Sequence, residues 1–366
     1  MRVLIAAGGT GGHIYPAIAI ANEIRRRDPS SVIRFVGTAR GLENRLVPQA
    51  GFELSIIESA GLVNMGLGQR LRGLLILPKS FLAARRLINS FRPDVVVGAG
   101  GYVTGSVLLM AALMHVPTLV MESNAVPGFT NRRLARFVDA AAVSFEAALP
   151  FFGDKAVVTG NPVRSEFFEI KAKERDPQKF SLLLFGGSQG SRAINEAMIA
   201  AVPFLEEYRE RMRITHQTGK LDFERVSAGY TAAGWKTQAK VSEYIDNMMK
   251  VFAENDLIVS RAGATTSFEL MAAGKPALMV PLPGQLEQRR NAEVLASVGA
   301  ARMILQDDLN GERLAKEISL LIESPDEITR METAARKLAR RDAAAVTVDL
   351  IERLAGGKQK AEGRRQ

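Results

Sequence analysis

Hydrophobic positions in this chain fall into short unbroken runs, each ended by glycine or a polar turn, with longer mixed stretches between them. Val3-Leu-Ile-Ala-Ala7 is the first run. A strand that is apolar at every position, not at alternate ones, is buried on both faces, the habit of a parallel sheet covered by helices. The same pattern predicts strands at Val32 to Val36, Pro93 to Val97, Val116 to Met121, Leu182 to Phe185, Arg213 to His216, Ala239 to Val241, Leu257 to Ser260 and Ala277 to Val280. Helical spacing predicts helices over Ala17 to Arg27 and Ser80 to Phe91, and a small-residue helix through Ala112. Alternating strands and helices of this kind imply an α/β protein.

Where the runs stop is as informative as the runs. The first ends in Gly8-Gly-Thr-Gly-Gly-His13, the Pro93 run in Gly98-Ala-Gly-Gly-Tyr102, and the Leu182 run in Gly186-Gly-Ser-Gln-Gly190. Glycine admits positive φ and lets backbone N–H groups approach an anion just before a helix begins. Finding the device at the head of each half implies two similar α/β domains, residues 1–160 and 161–357, with packing of the last helix back on the first domain left open, followed by a polar, basic tail over 358–366 that is predicted to be disordered. Open parallel sheets take ligands at the carboxyl ends of their strands, so a ligand held between two facing halves is the expected geometry. The Val157 to Arg164 stretch marks the join, and the charged run Lys171 to Lys179 reads as linker.

Two nucleotide signatures are missing. After Val36 the chain continues Gly37-Thr38, with no acid for a dinucleotide ribose, and Ile14 fills the last glycine place of a G-x-G-x-x-G. No G-x-x-x-x-G-K-[ST] loop occurs either. Composition narrows the class further. With 366 residues, 47% hydrophobic and 24% charged, the chain has the profile of a globular protein of about two domains. It has no cysteine, which rules out disulfides, thiolate catalysis and Cys-bound zinc and is compatible with a reducing cytosol. The apolar run after Arg2 is too short for a signal peptide, and no run reaches the length of a membrane span.

The formal charge of +9 is unevenly spread. Residues 1–160 hold 17 Lys and Arg against 10 Asp and Glu, the remainder 31 against 29. A solvated basic face, an anionic membrane surface and an acidic substrate all fit this bias. Nucleic acid is not expected, because the arginines are not interleaved with stacking aromatics, which total 6%. Between Met65 and Phe91 the apolar Leu71, Leu74, Leu75, Ile76, Leu77, Phe81 and Leu82 are flanked by Arg70, Arg72, Lys79, Arg85 and Arg86. Two readings stay open: a core helix with Phe81, Ala84, Ile88 and Phe91 inward, or an apolar patch rimmed by basic residues that rests on anionic lipid without spanning it.

Three histidines are present, and His13 alone stands where a side chain reaches whatever the first glycine turn holds; His115 and His216 are expected to be structural. His13 is read as a base or as a ligand that only hydrogen-bonds phosphate. At a helix N-terminus its imidazolium is disfavoured, leaving a neutral ring able to accept a proton. Arg261-Ala-Gly-Ala-Thr-Thr-Ser-Phe-Glu269 follows a strand and is expected to put Glu269 in the first turn of a helix, where its carboxylate could take both hydroxyls of a ribose or merely cap the helix. No Asp-x-Asp follows a strand, so no metal is expected on a diphosphate, and no cofactor.

Taken together and in order, Gly8-Gly-Thr-Gly-Gly-His13, Gly100-Gly-Tyr102, Gly160-Asn-Pro-Val-Arg164, Gly186-Gly-Ser-Gln-Gly190 and Arg261-Ala-Gly-Ala264 with Glu269 closely resemble the MurG family over residues 1 to about 350. These are peripheral-membrane N-acetylglucosaminyltransferases of peptidoglycan synthesis. The resemblance implies a GT-B fold, two Rossmann-like doubly wound domains facing across a cleft. It also implies inverting transfer of GlcNAc from UDP-GlcNAc to the 4-hydroxyl of MurNAc in the undecaprenyl-pyrophosphoryl acceptor lipid I, giving lipid II. That acceptor, the anionic cytoplasmic face of the cell membrane and other cell-wall synthesis proteins are the implied partners, with cell shape and division the processes served. Carried onto matching positions, the family's donor-site residues are Thr10, Gly11, Gly12, Asn124, Arg164, Ser188, Ile245, Ala264, Thr265, Thr266, Ser267, Phe268, Glu269 and Gln288, with His13 as base. The resemblance gives Ser188, at a helix start, the diphosphate; Glu269 the ribose; the Ile245 backbone the uracil edge; Gln288 the sugar hydroxyls. The first two glycine turns would face the acceptor diphosphate. One departure is the loop from Pro281 to Ala292, shorter than the family's usual one and carrying Glu287 before Gln288. Rival readings are another GT-B enzyme, such as a UDP-GlcNAc 2-epimerase or a glycolipid glycosyltransferase, and a nucleotide-sensing membrane adaptor whose transferase site has decayed.

Overall fold

The computed structural model describes residues 1–58, 67–176 and 178–363, and for residues 67–76, Tyr102 and 358–363 it describes the backbone alone. The chain divides into two compact units, Met1–Val163 with Arg340–Gln366 and Arg164–Ala339. Each is a wholly parallel sheet covered by helices.

The first unit runs β1 (Arg2–Ala7), α1 (Gly11–Arg27), β2 (Val32–Gly37), α2 (Glu43–Gln49), β3 (Glu53–Ile56), α3 (Leu67–Phe91), β4 (Val95–Gly100), α4 (Tyr102–Leu113), β5 (Thr118–Glu122), α5 (Phe129–Leu134), β6 (Ala140–Val143) and β7 (Ala156–Val158). Its seven strands lie in the order β3-β2-β1-β4-β5-β6-β7. Alternate residues of β1 feed opposite cores. Val3, Ile5 and Ala7 pack with Ile14, Ala17, Ile20 and Ile24 of α1, whereas Leu4 and Ala6 pack with Ala84, Ile88 and Phe91 of α3 and Val103 and Val107 of α4. A strand buried on both sides must be apolar throughout, which is why the first run of the sequence has no polar interruption.

The second unit contains β8 (Phe180–Phe185), α6 (Arg192–Ala201), β9 (Met212–Gln217), α7 (Phe223–Ala232), β10 (Ala239–Ser242), α8 (Met248–Glu254), β11 (Leu257–Ser260), α9 (Ala264–Ala273), β12 (Ala277–Met279), α10 (Leu286–Ser297), β13 (Ala301–Met303), α11 (Gly311–Ile322) and α12 (Pro325–Leu338). The strand order, β10-β9-β8-β11-β12-β13, reverses beside its first strand as in the first unit. One face of this sheet holds a continuous core of Leu182, Leu184, Ile194, Met198, Ile214, Tyr230, Trp235, Leu314 and Ile318.

The chain then returns. α13 (Ala343–Gly363) belongs to the first unit, where Val348, Leu350, Ile351 and Ala355 join the α1 face and Arg27 pairs with Asp349 at 2.6 Å and Glu352 at 3.1 Å. The second unit therefore ends at Ala339, not at 357. The tail predicted to be disordered from Lys358 is helical backbone up to Gly363. The helix predicted from Ala17 begins at Gly11. Glycine is a poor helix former, but the first turn has no intrahelical N–H bonds to lose, and Thr10 enters it extended (φ −110, ψ 160). In α3, Ala84, Ile88 and Phe91 are buried as expected, Phe81 is half-buried, and Leu82, Arg85 and Arg86 face solvent. The side chains of Arg70, Leu71, Arg72, Leu74, Leu75 and Ile76 lie outside the described residues.

Two features of the second unit set its stability. The first is His216, buried on β9. Asn195 donates its amide hydrogens to Thr218 O (3.0 Å) and Asp222 Oδ2 (2.9 Å), so its Oδ1 accepts from His216 Nε2–H at 3.0 Å, and His216 Nδ1 accepts from the Tyr230 hydroxyl at 3.0 Å. Burial lowers the His216 pKa to about 3, with Asp222 opposing the shift. The ring is a structural one, as the sequence suggested. The second is Gly190, at φ +76, where a Cβ would overlap the Thr218 carbonyl; Gly187, at φ +90, has nothing within 4 Å of such a Cβ.

Between about pH 6.5 and 3 the unfolded chain binds a proton at His216 that the folded chain refuses. Stability should therefore fall as pH drops through that window, by on the order of 1.4 kcal/mol per pH unit from this group. Denaturant unfolding at pH 7, 5 and 4 should show a shallower loss for His216→Gln, which is less stable at pH 7 but carries no proton to release. Gly190→Ala should cost more than Gly187→Ala. The latter meets only the φ penalty, about 1–2 kcal/mol, whereas the former must also displace backbone, and thermal melts of the two variants measure the difference.

Candidate functional site

In the first unit, β1 and β4 are neighbours. The turns that leave them meet: Gly8 N–H donates to Gly100 O at 3.2 Å. Thr10 occupies the N-cap of α1 without a side-chain capping bond, Gly11 and Gly12 open the helix, and His13 is its third residue. The His13 ring is half-buried against Gly100, whose φ is +117 and whose position admits no Cβ because it would overlap the ring. Nδ1 lies 3.1 Å from Gly8 O. A carbonyl can only accept, so Nδ1 carries the hydrogen and the Nε2 lone pair is left for other chemistry. Burial lowers the His13 pKa, and the Gly8 hydrogen bond and the Glu43 charge oppose that shift.

Asn124 follows β5 and is held by the buried Glu122, whose Oε1 accepts from Asn124 N and Nδ2, both at 2.9 Å, while Oε2 accepts from Asn131 Nδ2 at 2.8 Å and Gly128 N at 3.3 Å. Burial raises the Glu122 pKa against these four bonds. Sequence reasoning did not single out Glu43. It is fully buried, its Oε2 accepts from Gly9 N at 2.9 Å, and its Oε1 accepts from Thr38 N at 2.8 Å and Thr38 Oγ1 at 2.9 Å. As the first residue of a short helix it reads, in sequence, as an ordinary surface acid.

In the second unit, β8 and β11 are the neighbours, and a cavity of about 650 Å³ opens at their carboxyl ends. Gly186, Gly187, Ser191, Arg261, Thr266 and Gln288 are among its lining residues. Thr266 and Gln288 are therefore brought together at this cavity. Gln288 accepts at Oε1 from Leu282 N, 3.1 Å away. Ser188 is not at the helix start: it is exposed on the turn, and the N-cap of α6 is Ser191, whose Oγ accepts from Ile194 N at 3.5 Å. Gln217 ties two further pieces together, donating Nε2–H to Gly187 O (2.9 Å) and accepting Ile245 N–H at Oε1 (2.8 Å).

The α9 segment corrects one expectation. Glu269 is the sixth residue of the helix, not part of its first turn, so the dipole gives no reason for a carboxylate there. Its Oε1 instead accepts from Arg164 Nη2 at 3.1 Å, and burial raises its pKa while Arg164 opposes the rise. Ala264 and Thr265 start the helix, Ser267 donates to Gly263 O at 3.1 Å, and Phe268 is buried. The Thr265 hydroxyl is buried with no partner among the described residues.

Arg261 follows β11 directly and opens the Arg261-Ala-Gly-Ala264 turn into α9. Its Nη1 donates to Val280 O (3.1 Å) and Pro281 O (3.2 Å), and its Nη2 to Gln306 Oε1 (2.6 Å). It forms no ion pair among the described residues, and burial lowers its pKa. A guanidinium fixed by neutral acceptors at the wall of a glycine-lined cavity keeps its charge available to an anion. Among the described residues no group of three or more His, Asp or Glu side chains is placed to hold a metal ion.

Comparison with known proteins agrees with this geometry. The model of the glycosyltransferase family 28 N-terminal domain matches residues 3–143, and that of the family 28 C-terminal domain matches residues 181–347. A protein of an Anaeromyxobacter species is 45% identical over 97% of this chain and 93% of its own, and one from Geobacter sulfurreducens is 43% identical over 95% of this chain and 97% of its own. Both are called UDP-N-acetylglucosamine--N-acetylmuramyl-(pentapeptide) pyrophosphoryl-undecaprenol N-acetylglucosamine transferase. The crystal structure of Acinetobacter baumannii MurG superposes with a TM-score of 0.80 at 33% identity, covering 96% of this chain and 99% of that one. The Neisseria meningitidis UDP-GlcNAc 2-epimerase, at 15% identity and a TM-score of 0.71, shares the fold alone. Two parallel-sheet Rossmann-like units of the GT-B type, matched over nearly the whole chain at such identity, make this protein a member of glycosyltransferase family 28.

Proposed function

We propose that the protein transfers GlcNAc from UDP-GlcNAc to the 4-hydroxyl of MurNAc in the undecaprenyl-pyrophosphoryl-MurNAc-pentapeptide acceptor, with inversion at the sugar. What supports this reading, within a family whose relatives are named for that reaction, is an imidazole whose Nδ1 is committed to Gly8 O and whose Nε2 is left to accept. The acceptor oxygen attacks C1 of GlcNAc, the C1–O bond to the β-phosphate breaks with its electron pair leaving on UDP, and the hydroxyl proton passes to His13 Nε2. Glycine-turn N–H groups, the α6 N-terminus and Arg261 take the diphosphate charge that develops in the second unit. Glu269, released from Arg164, accepts from the ribose hydroxyls; Ile245 meets the uracil edge, and Gln288 and Thr266 meet the sugar. The turn carrying Thr10, Gly11 and Gly12 faces the acceptor diphosphate, and Asn124 contributes to the donor side.

The acceptor is a lipid, and no helix among the described residues is long and apolar enough to cross a membrane. A peripheral contact at the cytoplasmic face of the membrane meets that need. Leu82 is 48% exposed on α3 beside exposed Arg85 and Arg86, in the half of the chain that carries most of the positive excess. The product feeds cell-wall growth, and through it cell shape and division.

His13→Ala should reduce transfer by on the order of 100- to 10,000-fold, while UDP-GlcNAc affinity measured by calorimetry stays within about twofold of wild type. Wild-type turnover in that variant would remove His13 from the chemistry. For the membrane contact, Leu82→Glu combined with Arg85→Glu and Arg86→Glu should weaken co-sedimentation with anionic vesicles and leave binding to UDP-GlcNAc intact; unchanged sedimentation would assign α3 to the core alone.

A further inference from the structure

The Gly8–Gly9 peptide is bonded at both ends. Its N–H, on Gly9, donates to Glu43 Oε2 at 2.9 Å, and its C=O, on Gly8, accepts from His13 Nδ1 at 3.1 Å. One planar, conjugated group thus links a carboxylate to an imidazole. Hydrogen bonds in such a chain polarise one another: a negative charge on the N–H side strengthens the carbonyl as an acceptor on the other.

The room made for this carboxylate is unusual. A Cβ at Gly8 would come within 2.9 Å of Glu43 Oε1, one at Gly37 within 2.5 Å of Glu43 Cγ, and one at Gly41 would overlap the carboxylate itself. Three segments, the β1 turn, the end of β2 and the loop before α2, therefore close around Glu43 with glycine at each approach. Three donors are met by its two oxygens: Gly9 N–H at Oε2, Thr38 N–H and Thr38 Oγ–H at Oε1. A neutral amide could not serve both sides, since its NH₂ would face a donor. No arginine, lysine or histidine pairs with Glu43 among the described residues, so its charge is not cancelled locally. Buried, unpaired carboxylates are costly and are retained where their charge is used.

Resting on the reading of His13 as base, we propose that Glu43 is a positioning residue for the transfer. Through the Gly8–Gly9 peptide it fixes the His13 ring with Nε2 free, and it supplies the negative charge against which the imidazolium forms when the acceptor proton arrives. Among the described residues, Glu43 is the charged group whose charge acts on the His13 ring; the β4 turn contributes Gly100 and Gly101, which carry none. Asp and Glu play this part directly on histidine in hydrolytic triads. Here a peptide group stands between them.

The test uses the full chain labelled with ¹⁵N-histidine, its three signals assigned with His13→Ala. In the wild-type protein the His13 ¹⁵N shifts should report a neutral ring protonated at Nδ1; a ring protonated at Nε2 would overturn the proposal, and this measurement needs no substitution at Glu43. In Glu43→Gln the His13 titration midpoint and the acid limb of the kcat–pH profile should both move to lower pH, because the charge that favours imidazolium is gone. Turnover should fall on the order of 10- to 100-fold, with KM for UDP-GlcNAc unchanged. A fall in kcat with the midpoint and the acid limb unmoved would reduce Glu43 to a loop fastener and overturn the proposal. Full turnover in His13→Ala would instead sink the base reading, and any catalytic role for Glu43 with it, whereas a shifted midpoint in Glu43→Gln would still show the coupling between the two residues.

Discussion

Everything chemical in this protein depends on a reversal of direction in a parallel sheet. From β1 the chain crosses over to β2 and β3 on one side, then restarts at β4 on the other. Right-handed crossovers in opposite directions must put their helices on opposite faces, and they do: α1 packs with Val3 and Ile5, α4 with Leu4 and Ala6. Between two helices that diverge to opposite faces, the carboxyl ends of β1 and β4 are left uncovered, and backbone N–H groups there have no strand to pair with. The second sheet repeats the arrangement at β8 and β11, where the cavity opens. The glycines follow from this constraint. Two chains leaving adjacent strands in opposite directions approach within hydrogen-bonding distance, as Gly8 and Gly100 do, and only residues without Cβ fit.

That constraint also explains how much could be read before the structure. Apart from β6, the central strands were legible because burial on both faces forces an apolar run, and Leu257–Ser260 matches the observed β11 residue for residue. Two edge strands, β3 and β13, were not, although the edge strand β10 was. Glu53–Ile56 and Ala301–Met303 are short, have a neighbour on one side only, and mix polar with apolar residues, so nothing in their composition separates them from loop. The return of α13 to the first unit stood in the sequence only as an alternative, because an amphipathic helix states that one face is covered but not by what. Glu269 was expected in the first turn of its helix and lies at its sixth residue, and with that the reason for its presence changed. The dipole argument gave way to an ion pair with Arg164, a partner 105 residues earlier that no local pattern could announce. Glu43 escaped altogether, since a glutamate near glycines and a short helix is indistinguishable in sequence from a solvated one. The glycines at 8, 37 and 41 look like turn formers and prove to be space makers.

On the proposed reading, the two units solve opposite electrostatic problems with similar parts. In the second, a diphosphate must gain negative charge as its bond to the sugar breaks, and the available groups are N–H donors of a glycine turn and a guanidinium held by neutral carbonyls. Had Arg261 been paired with a carboxylate, its field at the cavity would be largely spent before any ligand arrived. In the first unit a proton must be received. Burial and a helix N-terminus both disfavour the imidazolium form, which keeps the ring neutral and able to accept. Either effect alone, pushed far enough, would make the ring too weak a base to hold the proton it takes.

A carboxylate in direct contact with the ring would favour the charged form more strongly than one acting through a peptide. A charge acting through one peptide lies between these limits. It is close enough to oppose desolvation, and the intervening carbonyl binds Nδ1–H in the neutral and the charged ring alike. The ring therefore keeps one orientation through the whole proton cycle while its affinity for the proton is set from beneath the turn. On the proposed reading, the glycine turn that brings N–H groups to an anion also transmits a buried charge to the base, and both properties follow from a backbone that no side chain obstructs.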